Sequence, residues 1–151
     1  MNISEELIRE IVTKVLQESG SAAKNAPDME RQVDPSGVIG IKTSSVKLES
    51  FEGRDDVKLK DVVSIEEAPR MGCGVMELSK GADFEWTLVY DEYDIVLEGE
   101  LEIVIDGRVV RGGVGDIIYI PKDTHIHFRT PNYTKYAYTV YPANWTELLG
   151  K

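Results

Sequence analysis

Apolar positions change their spacing twice along this chain, and the two changes divide it into three parts. In the first part they fall at Ile3, Leu7, Ile8, Ile11, Val12, Val15 and Leu16. That i, i+4, i+5, i+8 spacing places them on one face of a helix. Asn2 or Ser4 can cap it, Glu5 and Glu6 suit the positive end of its dipole, and Gly20 can end it. From Ser19 to Gly37 the chain reads SGSAAKNAPDMERQVDPSG. Small, polar and proline residues without a sustained period predict a flexible linker.

From Val38 onward the period shortens to that of strands. The runs VIGIK, VKLKDVVS, CGVMELS, FEWTLVY, YDIVLEGELEIVIDGRVV, DIIYIP, THIHFR and YAYTVYP are separated by turn residues. Asp106-Gly107 between two alternating runs predicts a type I′ hairpin. ANWTELLGK predicts a terminal turn. The expected organisation is a helix over residues 1–19, a linker over 20–37 and an all-β sandwich or barrel over 38–151. A short helix on a tether is marginal alone and needs a surface to cover its apolar stripe. Its own β domain, a second copy and another protein all fit that pattern.

Composition narrows the partners. The chain has 151 residues, 17 basic and 27 acidic, with a net charge of −10. Such an acidic chain suits neither a nucleic-acid backbone nor an anionic membrane face. It carries no basic, apolar leader, and its single cysteine, Cys73, has no partner for an internal disulfide. The cytoplasm of a cell is the expected location. Cys73, among apolar neighbours, reads as a small buried hydrophobe.

The two histidines, His125 and His127, lie one residue apart in IPKDTHIHF. A His-x-His pair on a strand is a candidate metal site. Alternation argues against a pocket site, because Ile126 and Phe128 take one face while His125, His127 and Arg129 take the other. With the apolar face inward, the histidines point outward. A metal there needs a further donor, and the local spacing supplies none.

Two longer patterns carry a family resemblance. GADFEWTLVYDEYDIVLEGELEI (Gly81–Ile103) keeps a glutamate, six residues and a glycine at Glu92 and Gly99, and GDIIYIPKDTHIHF (Gly115–Phe128) keeps a glycine, five residues and a proline at Gly115 and Pro121. Together they resemble the two halves of the cupin signature. The resemblance implies a small jelly-roll barrel with a site in its mouth. The first-half histidine positions fall on Trp86 and Leu88, or on Glu85 and Thr87. The second-half position falls on Ile126, and Asp123 stands where a glycine is usual. No tightly bound transition metal is therefore expected.

A narrower resemblance rests on Trp86, Thr87, Leu88, Tyr90, Asp91, Glu92, Asp94, Val96, Leu97, Glu98, Gly99, Glu100, Pro121, Lys122, Pro142, Asn144 and Trp145. These resemble the cupin domain of the EutQ family of ethanolamine-utilisation proteins. The resemblance implies residence in a bacterial microcompartment, with residues 1–19 docking on shell or cargo proteins. It also implies acetate kinase activity, moving phosphate between acetyl phosphate and ADP or from ATP to acetate. A homodimer is expected by analogy with other cupins.

The residues themselves supply partial support for that chemistry. No G-x-x-x-x-G-K-[ST] loop is present, and RGGVGD reads as a turn. Glu92 and Asp94 share a strand face, which the resemblance makes the inner one. They can hold a hydrated Mg²⁺ brought with ATP or ADP, act as an acid/base pair, or form a structural polar rim. Trp86, Tyr90, Tyr119 and Tyr138 can line the same cavity or be core aromatics. Lys122 can meet a phosphate or be solvated.

Overall fold

The computed structural model describes residues 28–149. The helix expected over residues 1–19 and the expected linker up to residue 27 lie outside these residues. Eleven strands and two short 3-10 turns make up the rest. In chain order the strands are β1 (Glu30–Val33), β2 (Ile39–Lys42), β3 (Glu49–Phe51), β4 (Arg54–Asp61), β5 (Gly72–Leu78) and β6 (Asp83–Thr87). They continue as β7 (Asp91–Ile105), β8 (Arg108–Gly113), β9 (Ile117–Ile120), β10 (His125–Arg129) and β11 (Thr134–Tyr141).

Strand β7 belongs to two sheets at once. Its first half pairs with β9 and β11, which continue through β5 and β4 to β3. Its second half pairs with β8 and with β10, beyond which β6 forms an edge. The change of sheet occurs around Gly99, whose φ is +72°. A Cβ there would collide with the carbonyl oxygen of Tyr133. Glycine is thus required twice, by the left-handed backbone and by the close approach of β11. The outcome is the jelly-roll barrel that the cupin resemblance implies, one of the two all-β forms that the strand pattern allows.

Alternation decides what fills the barrel. Leu101 and Ile103 of β7, Ile126 and Phe128 of β10, Leu78 of β5 and Tyr136 of β11 are all buried. A ladder of rings, Trp86–Phe84–Phe128–Tyr136, runs through the interior with centroid separations of 5.5, 6.3 and 6.0 Å. The Asp106-Gly107 hairpin forms as expected, with both residues at positive φ, the requirement of a type I′ turn. Asp123, at the glycine position of the cupin pattern, has φ +69°. The backbone conformation survives the replacement, since Asp tolerates the left-handed region better than most residues.

The predicted linker is corrected in its second half. β1 lies inside it and pairs with β2. The Arg31 guanidinium forks onto Glu67 at 2.8 Å and donates to the Val62 carbonyl at 3.0 Å. Met29 packs beside the small apolar cluster of Val46, Val62 and Val75. ERQV has little alternation, so its pairing depends on these distant partners. β3 was likewise not expected from its sequence, ESF, because three residues carry no period.

Candidate functional site

A cavity of about 530 Å³ opens between the two sheets. Its walls are mainly aromatic and aliphatic, with Phe84, Trp86, Phe128 and Tyr138 among them. β6 presents Trp86 inward because Glu85 and Thr87 alternate outward. The C-terminal 3-10 turn, Trp145–Leu148, contributes Trp145, which packs against Tyr90 at 4.7 Å and Trp86 at 6.2 Å.

Polar groups in the cavity are few and are placed by the strands. The Trp86 indole donates to the Tyr90 hydroxyl at 2.7 Å. That leaves the Tyr90 proton free to donate. Burial, and after it the nearby Glu92 carboxyl, push the Tyr90 phenol well above its ordinary range, so it stays a donor. Tyr138 donates to Asp61 at 2.7 Å, and its proton is likewise retained, through burial and then the charge of Asp61. Gly74 permits this arrangement, since a side chain there would strike the Tyr138 hydroxyl. Cys73 also lines the cavity, and burial raises its thiol pKa. It is half-buried rather than the fully buried hydrophobe expected from its neighbours. Among the described residues, no lysine, arginine or histidine lines the cavity.

Glu92 and Asp94 are the unusual pair. Both lie on the inner face of β7, and they are 4% and 0% exposed. Glu92 lines the cavity while Asp94 does not, so Asp94 is one step deeper than the sequence suggests. Neither oxygen of Asp94 has a hydrogen-bond partner of ordinary geometry, although Glu92 is close enough to couple to it. Burial raises both pKa values. The neighbouring Glu92 charge raises Asp94 further, whereas the interaction with Asp94 lowers Glu92. Burial favours the neutral form of both carboxyls, and the two titrate as one coupled unit.

The other candidate residues are dispersed. Trp86, Tyr90 and Tyr138 come together in the cavity. Tyr119 does not, because its strand parity turns it outward; it is 51% exposed and stacks on Tyr93 at 5.0 Å. Lys122 is exposed and does not line the cavity. Its backbone amide donates to Asp91 at 2.7 Å, holding the turn after Pro121. His125 and His127 lie on the outer face of β10, and Ile126, fully buried, points inward as expected. The cavity also includes Asp61 and Trp145, which sequence reasoning did not place there. The alternation of VKLKD would have put Asp61 on the face of Leu59.

A family model described as "Ethanolamine utilisation protein EutQ" matches residues 3–147. The chain belongs to the EutQ family. It is 42% identical over 150 residues to the Clostridioides difficile protein named acetate kinase EutQ, with 95% of each chain covered. It is 36% identical over 149 residues to the Escherichia coli protein of the same name, and spans 64% of that longer relative. The solved structure of the Clostridium difficile EutQ protein superposes with a TM-score of 0.74 at 42% identity, covering 80% of this chain and all of that one. The cupin domain of Schizosaccharomyces pombe Cnp3 superposes with a TM-score of 0.61 at 16% identity, covering 81% of this chain and 93% of that one. That likeness shows the shared cupin fold alone. The family resemblance carried by the Trp86–Glu100 segment and the barrel implied by Glu92, Gly99, Gly115 and Pro121 are both upheld for this EutQ family member.

Proposed function

We propose that this EutQ family member is an acetate kinase of ethanolamine utilisation, transferring phosphate between ATP and acetate in the aromatic cavity above Glu92. The observation that carries this reading is the buried, coupled carboxyl pair of Glu92 and Asp94. Taking two acids out of water together is costly unless they share a proton or meet a cation. A fold that keeps such a pair beside a cavity points to a use for it. The 42% identity with a relative named acetate kinase, over 95% of both chains, supports the same reading.

In the forward direction an acetate oxygen forms a bond to the terminal phosphorus of ATP as the bond to ADP breaks. Catalysis of such a transfer is largely positioning and charge stabilisation. The apolar walls suit the acetate methyl and exclude water. The free Tyr90 proton can orient a substrate oxygen. An oxygen donor at the cavity wall fits a Mg²⁺ ion arriving with the nucleotide. Glu92, which lines the cavity with Asp94 behind it, would hold that ion, which would neutralise phosphoryl charge where the described lining has no cationic side chain. Formation of acetyl phosphate from ATP and acetate by the purified chain tests the proposal. No product above background would overturn it.

A lining without lysine, arginine or histidine among the described residues favours one second reading, a non-catalytic site for a small neutral or cationic ligand. Ligand-induced thermal stabilisation without turnover would select it. The proposal extends to residence in a microcompartment, with Ile3, Leu7, Ile8, Ile11, Val12, Val15 and Leu16 as the docking stripe on shell or cargo. Removal of residues 1–20 should then release the protein from the compartment and leave the barrel folded; unchanged encapsulation would refute the docking role. A homodimer is part of the same proposal. The paired, exposed Tyr93–Tyr119 and Ile95–Ile117 positions on the outer face of β7 and β9 support it.

A further inference from the structure

The outer face of the β6–β10 edge holds a cluster that the cavity chemistry does not use. β6 and β10 pair with His125 opposite Thr87, His127 opposite Glu85 and Arg129 opposite Asp83. Alternation turns all six of these side chains outward. One donor atom from each of Glu85, His125 and His127 lies within 4.8 Å of the other two. The third donor that the local sequence around the histidines lacks is thus supplied across the sheet, from residues about forty positions earlier, a separation of 40 between Glu85 and His125.

We propose that Glu85, His125 and His127 form a binding site for a late first-row divalent cation, with Zn²⁺ as the reference ion. Two imidazoles and a carboxylate are a set such ions favour, and three protein ligands leave a position open to water or another ligand. Donors around zinc, at bonds of about 2.0–2.1 Å, stand roughly 3.3 Å apart. Glu85 Oε2 and His125 Nε2, now 2.6 Å apart, would open by less than an ångström to admit the ion, while donors up to 4.8 Å apart would close by about 1.5 Å. Their side chains are 61%, 56% and 39% exposed, so they are free to do so.

The neighbours fit the same assignment. His127 Nδ1 lies 2.5 Å from Asp83 Oδ1, which leaves Nε2 available. His125 Nδ1 lies 2.5 Å from Thr87 Oγ1, and its Nε2 faces Glu85 Oε2 at 2.6 Å. One nitrogen of each imidazole is thus held by a neighbour outside the ligand set, the arrangement that fixes tautomer and ring direction in metal sites, while His125 Nε2 meets its fellow ligand Glu85, a contact the ion would replace. The two rings are nearly perpendicular at 88°. Arg129, the cation nearest along the face, is held by Glu102 at 2.7 Å. A net charge of −10 favours a cation generally.

Such an ion would clamp the edge strand β6 to β10 on the outside of the wall that carries Trp86 inside. Binding would then stabilise the fold by mass action. The test uses the tag-free full chain, stripped with chelator and titrated with ZnCl₂ by calorimetry and by thermal melting. One equivalent bound per chain and a melting temperature that rises with zinc are expected. His125→Ala and His127→Ala should each abolish both effects. Asp83→Asn should weaken binding by about tenfold or more, as outer-shell partners do. Glu92→Gln should leave zinc binding unchanged, which separates this site from the cavity. The proposal is overturned if wild type shows no saturable binding, if both histidine variants bind as wild type does, or if Glu92→Gln alone removes the binding.

Discussion

Asp94 stands two residues beyond Glu92 on one face of β7, wholly buried against the Glu92 carboxyl. Its coupling to Glu92 makes the two carboxyls one titrating unit, of which only Glu92 meets the cavity.

The pair should make stability fall with pH. Both native pKa values are raised above the unfolded ones. Between the ordinary carboxylate range, about 4, and the raised native values, the folded state binds more protons than the unfolded state. The neutral form therefore contributes stability at low pH that is lost as pH rises. Asp94→Asn removes one of the two titrations. Urea denaturation should show a smaller fall between pH 5 and pH 8 for this variant than for wild type. Its advantage at pH 8 is expected to be about 1–3 kcal/mol. An equal or steeper fall would show that the pair is not held neutral.

Gly99 sets the bend through which β7 serves both sheets. Gly99→Ala meets the Tyr133 carbonyl and a φ of +72°. A loss of roughly 3 kcal/mol or more is expected, since backbone must move on both strands. Thermal melting measures it. A melting temperature within a degree or two of wild type would mean that β11 can retreat at little cost.

Trp145 closes the aromatic wall from the C-terminal turn, against Tyr90 and Trp86. Trp145→Ala should leave the barrel folded, because the residue packs on the core from its edge. It should weaken binding in the cavity by about tenfold, the scale of one lost aromatic contact of about 0.5–1.5 kcal/mol with its buried area. Acetate concentration dependence of turnover measures this, with a higher KM and little change in kcat expected. A fall in kcat alone would assign Trp145 a different role.

Glu102 is buried on the outer side of β7 and held by Arg129 at 2.7 Å and Arg111 at 3.1 Å. Burial works to raise its pKa, but the two guanidinium bonds outweigh it and the net shift is downward. A lowered native pKa means stability that is present above the ordinary carboxylate range and lost as pH falls through the native value. Arg129→Ala should destabilise the fold at pH 7, and the difference from wild type should shrink in acid. A pH-independent difference would point to lost packing instead.

The barrel was legible because alternation and turn chemistry are local: Asp106-Gly107, Gly115 and the apolar faces of β7 and β10 announce themselves within a few residues. The cupin resemblance placed Glu92 inward, and Trp86, Tyr90 and Tyr138 were candidates for the same cavity or for the core; all four line it. What the chain did not announce depends on partners distant in sequence. β1 exists through Arg31 and Glu67, 36 positions apart. Asp61 enters the cavity through Tyr138, 77 positions away. Glu85 meets His125 and His127 only through the β6–β10 register. Tyr119 and Lys122 were candidates by proximity to a motif, yet strand parity and the turn after Pro121 place both outside the cavity.

The most direct test of the proposed role of Glu92 is kcat/KM for acetate at saturating MgATP, in wild type and in Glu92→Gln. The substitution keeps the size of the side chain and removes its ionisation. Turnover by wild type with a fall of about 10²-fold or more in the variant, with its melting temperature preserved, is the expected result. Equal rates in the two proteins would contradict the assignment.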